Sequence, residues 1–224
     1  MQVLPEGCGA GGIFPFKKAH RMTSFNYHCT DPRFNKAFNS RMSNHSTLFM
    51  NKILNTYKGF EGLTSLVDVS GGVGATFHMI VSKYPSLRGI NFNLPHFIVD
   101  APSYPDVHHV RDDMFISIPK ANTVFMKWIF HDWSNDHCLN SSATAMTLSL
   151  KTARSLSSSG SFRPLQRPQH KMSSMSTLHL GSQRWGKERT QKQFEALAKG
   201  ASFPSFRVSC GAYNIWVLEF LKKP

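Results

Sequence analysis

The sequence predicts an α/β fold: a mostly parallel sheet with crossover helices and a C-terminal antiparallel hairpin. Three observations predict it. First, Leu66-Val67-Asp68-Val69 is an apolar, β-branched run that breaks into Ser70-Gly71-Gly72-Val73-Gly74 and continues as a helix-like stretch over 75–81. Second, strand-like runs then alternate with helical stretches through residue 129, which calls for parallel strands joined by right-handed crossovers. Third, two apolar runs, 206–210 and 213–221, flank Gly211-Ala212 and read as a hairpin at the sheet edge.

Each element has its own signal. Asp31-Pro32 is a helix start, with Asp31 as N-cap and Pro32 at the first helical position. Phe34, Phe38, Met42, His45, Phe49 and Ile53 recur every three or four residues, an amphipathic stripe that ends near Tyr57-Lys58-Gly59. Such a stripe packs a core, and it also suits a helix that covers a pocket. Strand, glycine turn and helix at 66–81 form a unit able to hold a nucleotide-like ligand, because glycine permits close backbone approach and the helix start presents N–H groups. A plain tight turn has the same local signature. A second strand spans 87–95, a weaker third lies at 107–110, and Thr123-Val124-Phe125-Met126-Lys127-Trp128-Ile129 reads as a buried fourth. Thr190-Gln191-Lys192-Gln193 has capping-box spacing, followed by an apolar face of Phe194, Leu197 and Ala198 that Gly200 stops.

Composition bounds the function. The chain has 224 residues, 41% hydrophobic and 17% charged, a globular balance with room for a real core. No apolar run reaches the roughly 20 residues of a membrane helix, and the first residues lack a secretory signal. Cys8, Cys29, Cys138 and Cys210 are scattered without a CxxC pair, which argues against a zinc site or disulfide framework and fits a cytoplasmic protein. The net charge of +13 invites a nucleic-acid reading. Its distribution argues otherwise: residues 139–186 hold no Asp or Glu but six basic residues, and the aromatics are not interleaved with the basic run as a stacking platform needs.

Candidate chemistry gathers after the strands. Asn93 lies about 20 residues past the glycine turn, where an acidic side chain normally accepts from a ribose. Asp113-Met114 follows the third strand; a carboxylate and an apolar side chain there suit an adenine edge and face, and a loop cap is the equal alternative. His131 follows the fourth strand, on the side where open α/β sheets bind ligands, and serves either as a base for a bound hydroxyl or as a helix cap.

These residues reach a family. The stretches GFEGLTSLVDVSGGVGA, IVSKYPSLRGINFNLPHFIVDAPSYPDVHHV, DMFISIPKANTVFMKWIFHDWSNDHCL and GKERTQKQFEALAKGASF, with MTSFNYHCTDPRFNKAFNSRMSNHST before them, closely resemble plant caffeic acid 3-O-methyltransferases. The resemblance covers most of 20–138 and 187–224. It implies a Rossmann-like methyltransferase fold using S-adenosyl-L-methionine to methylate a phenolic hydroxyl of a phenylpropanoid. It implies His131 as general base and Glu188 as the carboxylate that orients it. Ser70, Gly72, Asn93, Asp113, Met114 and Lys127 match cofactor-binding positions, and Phe34, Phe38, Met42 and Trp128 match the substrate pocket. No metal is implied.

The chain departs from that family at four places. Ser70 stands where a third glycine is usual, and Asn93 where an aspartate binds ribose. The family's helical dimerisation domain, which makes it a homodimer, is expected to be absent. Residues 1–62 are then a linker with pocket-covering helices, and 63–224 the cofactor domain. Finally, 139–186 lose the resemblance abruptly and regain it abruptly, which reads as a segment translated in a shifted frame or a diverged insert. With no clear core strand there, the sheet is expected to miss one central strand, and the chain to be marginal or inactive.

Overall fold

A computed structural model describes residues 15–158, 188–213 and 215–222. Seven strands form one sheet: β1 (Ser65–Val69), β2 (Arg88–Asn93), β3 (Val107–Arg111), β4 (Ala121–Lys127), β5 (Ser149–Ser158), β6 (Ser205–Ala212) and β7 (Ile215–Leu221). Their order across the sheet is β3-β2-β1-β4-β5-β7-β6. The β3, β2, β1, β4 and β5 neighbours pair in parallel, and β7 lies antiparallel between β5 and β6. The strand order reverses between β1 and β4, which opens a crevice at their carboxyl ends.

Helices α1 (Pro15–His20), α2 (Ser24–Tyr27), α3 (Pro32–Thr56), α4 (Ala75–Lys83), α5 (Pro95–Ile98), α6 (Asn135–Leu148) and α7 (Gln191–Gly200) complete the described chain. Local rules account for several ends. Asp31 Oδ1 accepts from the Arg33 and Phe34 amides at 3.0 and 3.1 Å, capping α3. Thr190 and Gln193 close the predicted capping box of α7. The apolar surface packs in two clusters. One gathers Val67, Val124, Phe194, Leu197 and Phe220. The other joins Met50, Ile53 and Leu54 of α3 to Leu66, Phe77 and Phe125.

Three expectations are corrected. The sheet does not miss its central strand: β5 runs beside β4 from Thr123↔Thr152 to Lys127↔Leu156, and beside β7 from Thr152↔Leu221 to Ser158↔Ile215. The expectation weighed apolar content, whereas two-sided backbone pairing seats this polar stretch. The helix before it, α6, likewise runs through Leu148, well into the atypical segment; residues 159–186 of that segment lie outside the described residues. On α3, the deeply buried face is Asn35, Asn39, Ser46, Met50, Ile53 and Leu54. The stripe of Phe34, Phe38, Met42, His45 and Phe49 is only half-buried, because Asn35 and Asn39 donate to the His96 and Phe97 carbonyls and set the rotation of the helix. The hairpin turns at Tyr213, one residue beyond Ala212.

Candidate active site

Ser70 and Trp128 end the two central parallel strands, and both take left-handed backbone, at φ +57° and +58°. For a bulky residue such as Trp this conformation is costly, and strain of this kind clusters where a ligand site needs it. Gly72 follows at φ +62°. A Cβ on Gly71 would stand 2.2 Å from Asn91 Oδ1 and 2.6 Å from Asp68 Oδ2, so the turn admits no side chain there. At Gly71 and Gly72 the turn presents backbone alone to the cavity, beside the Ser70 side chain.

One open cavity, about 1200 Å³ including its mouth, lies over this turn. Ser70, Gly72, Asn93, Asp113, Met114 and Lys127 line one part of it, and Phe38, Met42 and Trp128 another. Nine of the twelve predicted site residues thus meet in one space. Phe34 does not line it; its ring packs behind, against Tyr27 at 5.1 Å and His28 at 4.8 Å. His131 and Glu188 are not among the lining residues either, whereas Ile129, Asp132 and Trp133 are.

The geometry of each side chain is definite. Ser70 Oγ lies 3.5 Å from Met114 Sδ. Asn93 is buried, and its Oδ1 accepts from the Leu94 amide at 2.8 Å. Asp113 Oδ1 accepts from the Phe115 amide at 2.9 Å, so Asp113 caps its loop and lines the cavity at once. Lys127 Nζ sits 3.9 Å from the centre of the Trp128 ring, a cation–π contact. His45 and Phe49 of α3 pack on the same indole, with ring centres at 4.5 and 5.8 Å.

His131 is 9% exposed. Its Nδ1 lies 3.5 Å from Glu188 Oε1 and its Nε2 3.4 Å from Asp132 Oδ1. Burial works against the imidazolium, but the Asp132 charge and the Glu188 hydrogen bond and charge outweigh it, even with Arg189 opposing. The net result is a pKa above the usual 6.5. Phe25 stacks on Trp133 at 5.4 Å and closes this side of the wall.

Sequence reasoning missed several residues. Asn39, Ser46, Phe97 and Asp132 line the cavity. Beneath the turn, Asp68 is fully buried directly opposite Asn91 on β2. Neither Asp68 carboxylate oxygen, nor Asn91 Oδ1, has a hydrogen-bond partner among the described residues. Asn91 Nδ2 is already engaged with the Gly72 carbonyl and His109 Nδ1. Burial pushes Asp68 up to about 7, against the pull of Lys127, and pulls Lys127 down to about 8, against the pull of Asp68. The lone carboxylate in the apolar run Leu66-Val67-Asp68-Val69 was the available signal.

A family model described as an O-methyltransferase domain matches residues 4–204. The chain belongs to this O-methyltransferase family. It is 54% identical over 225 residues to caffeic acid 3-O-methyltransferase of Prunus dulcis, covering 98% of this chain and 61% of that protein. The enzyme of the same description from Medicago sativa is 55% identical over 218 residues, covering 95% and 59%. The chain therefore spans about three fifths of the length of these curated relatives. In structure it matches human N-acetylserotonin methyltransferase in complex with SAM, with a TM-score of 0.80 at 17% identity over 92% of this chain and 62% of that one. That likeness shows the Rossmann-like methyltransferase fold. Among the described residues no helix is long and apolar enough to cross a membrane.

Proposed function

We propose that this chain is the methyl-transferring part of a cytoplasmic caffeic acid O-methyltransferase-like enzyme. It uses S-adenosyl-L-methionine to methylate a phenolic hydroxyl of a phenylpropanoid, in lignin biosynthesis, with His131 as general base. The observation that carries this reading is the meeting of a glycine turn and an aromatic wall in one cavity, with the His131–Glu188 pair in contact with its lining residue Asp132. Gly71 and Gly72, which line the cavity with backbone alone, and the left-handed Ser70 and Gly72 fit a ligand that the backbone approaches closely.

When bound, the cofactor supplies a methyl carbon made electrophilic by its sulfonium. The chain's own residues do the rest. Asn93, Asp113 and Met114 would hold its nucleoside part, and Lys127 would help orient it. Phe38, Met42 and Trp128 grip the phenolic ring and exclude water, with Phe34 backing the wall. A phenol ionises only near pKa 10, so transfer at neutral pH needs a base. With Nδ1 held at Glu188, His131 would take the phenolic proton at Nε2, the nitrogen that faces Asp132. Glu188 and Asp132 then stabilise the imidazolium. Alignment of acceptor and donor supplies much of the remaining rate.

Transfer of labelled methyl to caffeate tests the reading. His131→Gln is expected to cut kcat by roughly 10²–10⁴-fold. The acid limb of the wild-type kcat/KM profile is expected above pH 6.5, and to move down in Glu188→Gln, because that carboxylate favours the imidazolium. No calorimetric binding of S-adenosyl-L-methionine at millimolar concentration ends the reading. A second reading, a family member that keeps the fold without transferring methyl groups, is favoured by two observations. Ser70 Oγ occupies the turn beside Met114, and the Asn93 acceptor is already used by Leu94. Activity that appears only in the Ser70→Gly, Asn93→Asp double mutant supports it.

A further inference from the structure

Four of the five N–H donors of Arg189 reach oxygens of a single short turn. Nη1 donates to the Phe130 carbonyl, Nη2 donates to the Trp133 carbonyl at 2.7 Å and to Asn135 Oδ1 at 3.0 Å, and Nε donates to Asn135 Oδ1 at 3.3 Å. Arg189 is 1% exposed, among the largest fully buried side chains described. A guanidinium is costly to bury, so so complete a set of bonds marks a site where the fold requires its rigid fork. The turn it holds lies between β4 and α6 and carries His131.

We propose that Arg189 is a positioning residue: its guanidinium clamps the 130–135 turn by the carbonyls on either side of His131-Asp132, fixing where the base stands. This rests on the assignment of His131 as the base. Asp132 N donates to the Ile129 carbonyl at 3.0 Å, and Cys138 N to the Ser134 carbonyl at 3.0 Å. Among the described residues, the Phe130 and Trp133 carbonyls are otherwise reached by the weak Cys138 thiol donor, at 3.5 and 3.7 Å. Without Arg189 the buried Phe130 carbonyl and the half-buried Trp133 carbonyl lose their strong donor, and a buried acceptor left so is costly enough to move the turn.

The sequence neighbours divide the work. Glu188 reaches the His131 ring, and Arg189 reaches the backbone on which that ring stands. Two consecutive residues therefore fix both ring and platform, and both enter just before the capped start of α7. Arg189 also acts electrostatically, since its charge opposes the Asp132 and Glu188 carboxylates that face His131. It keeps the base from being held too firmly in its protonated form.

The test compares Arg189→Gly, Arg189→Gly with tens of millimolar guanidinium, and Arg189→Lys. The readouts are kcat and KM, cofactor affinity, hydrogen exchange at the Asp132 and Cys138 amides, and His131 ring titration by NMR. Arg189→Gly is expected to lower kcat by about tenfold or more with cofactor affinity within about threefold. It is also expected to speed exchange at the two amides and raise the His131 pKa. Guanidinium is expected to restore both kcat and exchange protection, and Lys to restore neither, because an ammonium lacks the fork. Unchanged exchange and titration in Arg189→Gly overturn the clamp. So does a loss that guanidinium does not rescue and that tracks general unfolding. If the wild type transfers no methyl group, exchange and titration still decide the clamp, and only the methyl-transfer reading fails.

Discussion

Ser70 and Asp68 stand two residues apart and make opposite demands. Ser70 is held in left-handed backbone at φ +57°, where a Cβ costs about 1–2 kcal/mol, and glycine relieves this at about 0.5–1 kcal/mol of added unfolded-state entropy. Ser70→Gly is therefore expected to raise stability slightly, by about 0.5–1 kcal/mol in urea unfolding; a loss of stability contradicts the strain. Asp68 faces Asn91 Oδ1, acceptor toward acceptor, unless the carboxyl is protonated. Its folded pKa is raised from 3.8 to about 7. Between those values the folded protein holds the proton that the unfolded chain has released, so this contribution to stability is full below pH 4 and is lost as pH rises through 7. Lys127, lowered from 10.5 to about 8, acts the other way, its contribution returning as pH rises from 8 toward 10.5. Asp68→Asn keeps a donor toward Asn91 without the titration. The stability of Asp68→Asn relative to wild type is expected to increase from pH 4 to 7, read from paired chemical melts. A flat difference removes the buried neutral carboxyl.

Among the elements, β5 carries the sharpest test, because its place rests on pairing along both edges. Ala153 lies opposite Val124 on β4 and Phe220 on β7. Proline there removes a ladder donor in the interior of the sheet and is expected to cost about 3 kcal/mol or more, measured as lowered melting temperature. An unchanged melt excludes this stretch from the centre of the sheet. The capped helices α3 and α7 show the contrasting case. Asp31-Pro32 and Thr190 to Gln193 satisfy orphan N–H groups from within four residues, so their starts were readable without any partner.

For the whole molecule, the joint between α3 and the sheet decides whether the aromatic wall stays over the glycine turn. Tyr57, at the end of α3, donates its hydroxyl to Glu219 Oε1 at 2.5 Å, and Arg207 Nε donates to Glu219 Oε2 at 2.7 Å. Glu219 is buried in β7 between these partners. Tyr57→Phe removes a donor from a buried carboxylate and is expected to cost about 1–3 kcal/mol in urea unfolding. If no cost is measured, this contact does not fasten α3.

Periodicity, caps and glycine placement were legible because they are local: a stripe on α3, an Asp-Pro start, a glycine turn after β1. The proposed cofactor and wall residues were picked out through their stretches of family resemblance, and nine of the twelve proposed site residues line one cavity. What stayed hidden depends on distant partners. The rotation of α3 is set by carbonyls of α5, reached by Asn35 and Asn39 across some sixty residues of chain. β5 is seated by β4 and β7, not by its own polar sequence. Arg189 reads in sequence as one more basic residue of a basic chain. Only its burial against the turn of His131 turns a surface type of side chain into a clamp, because hydrogen-bond satisfaction is a property of neighbours in space.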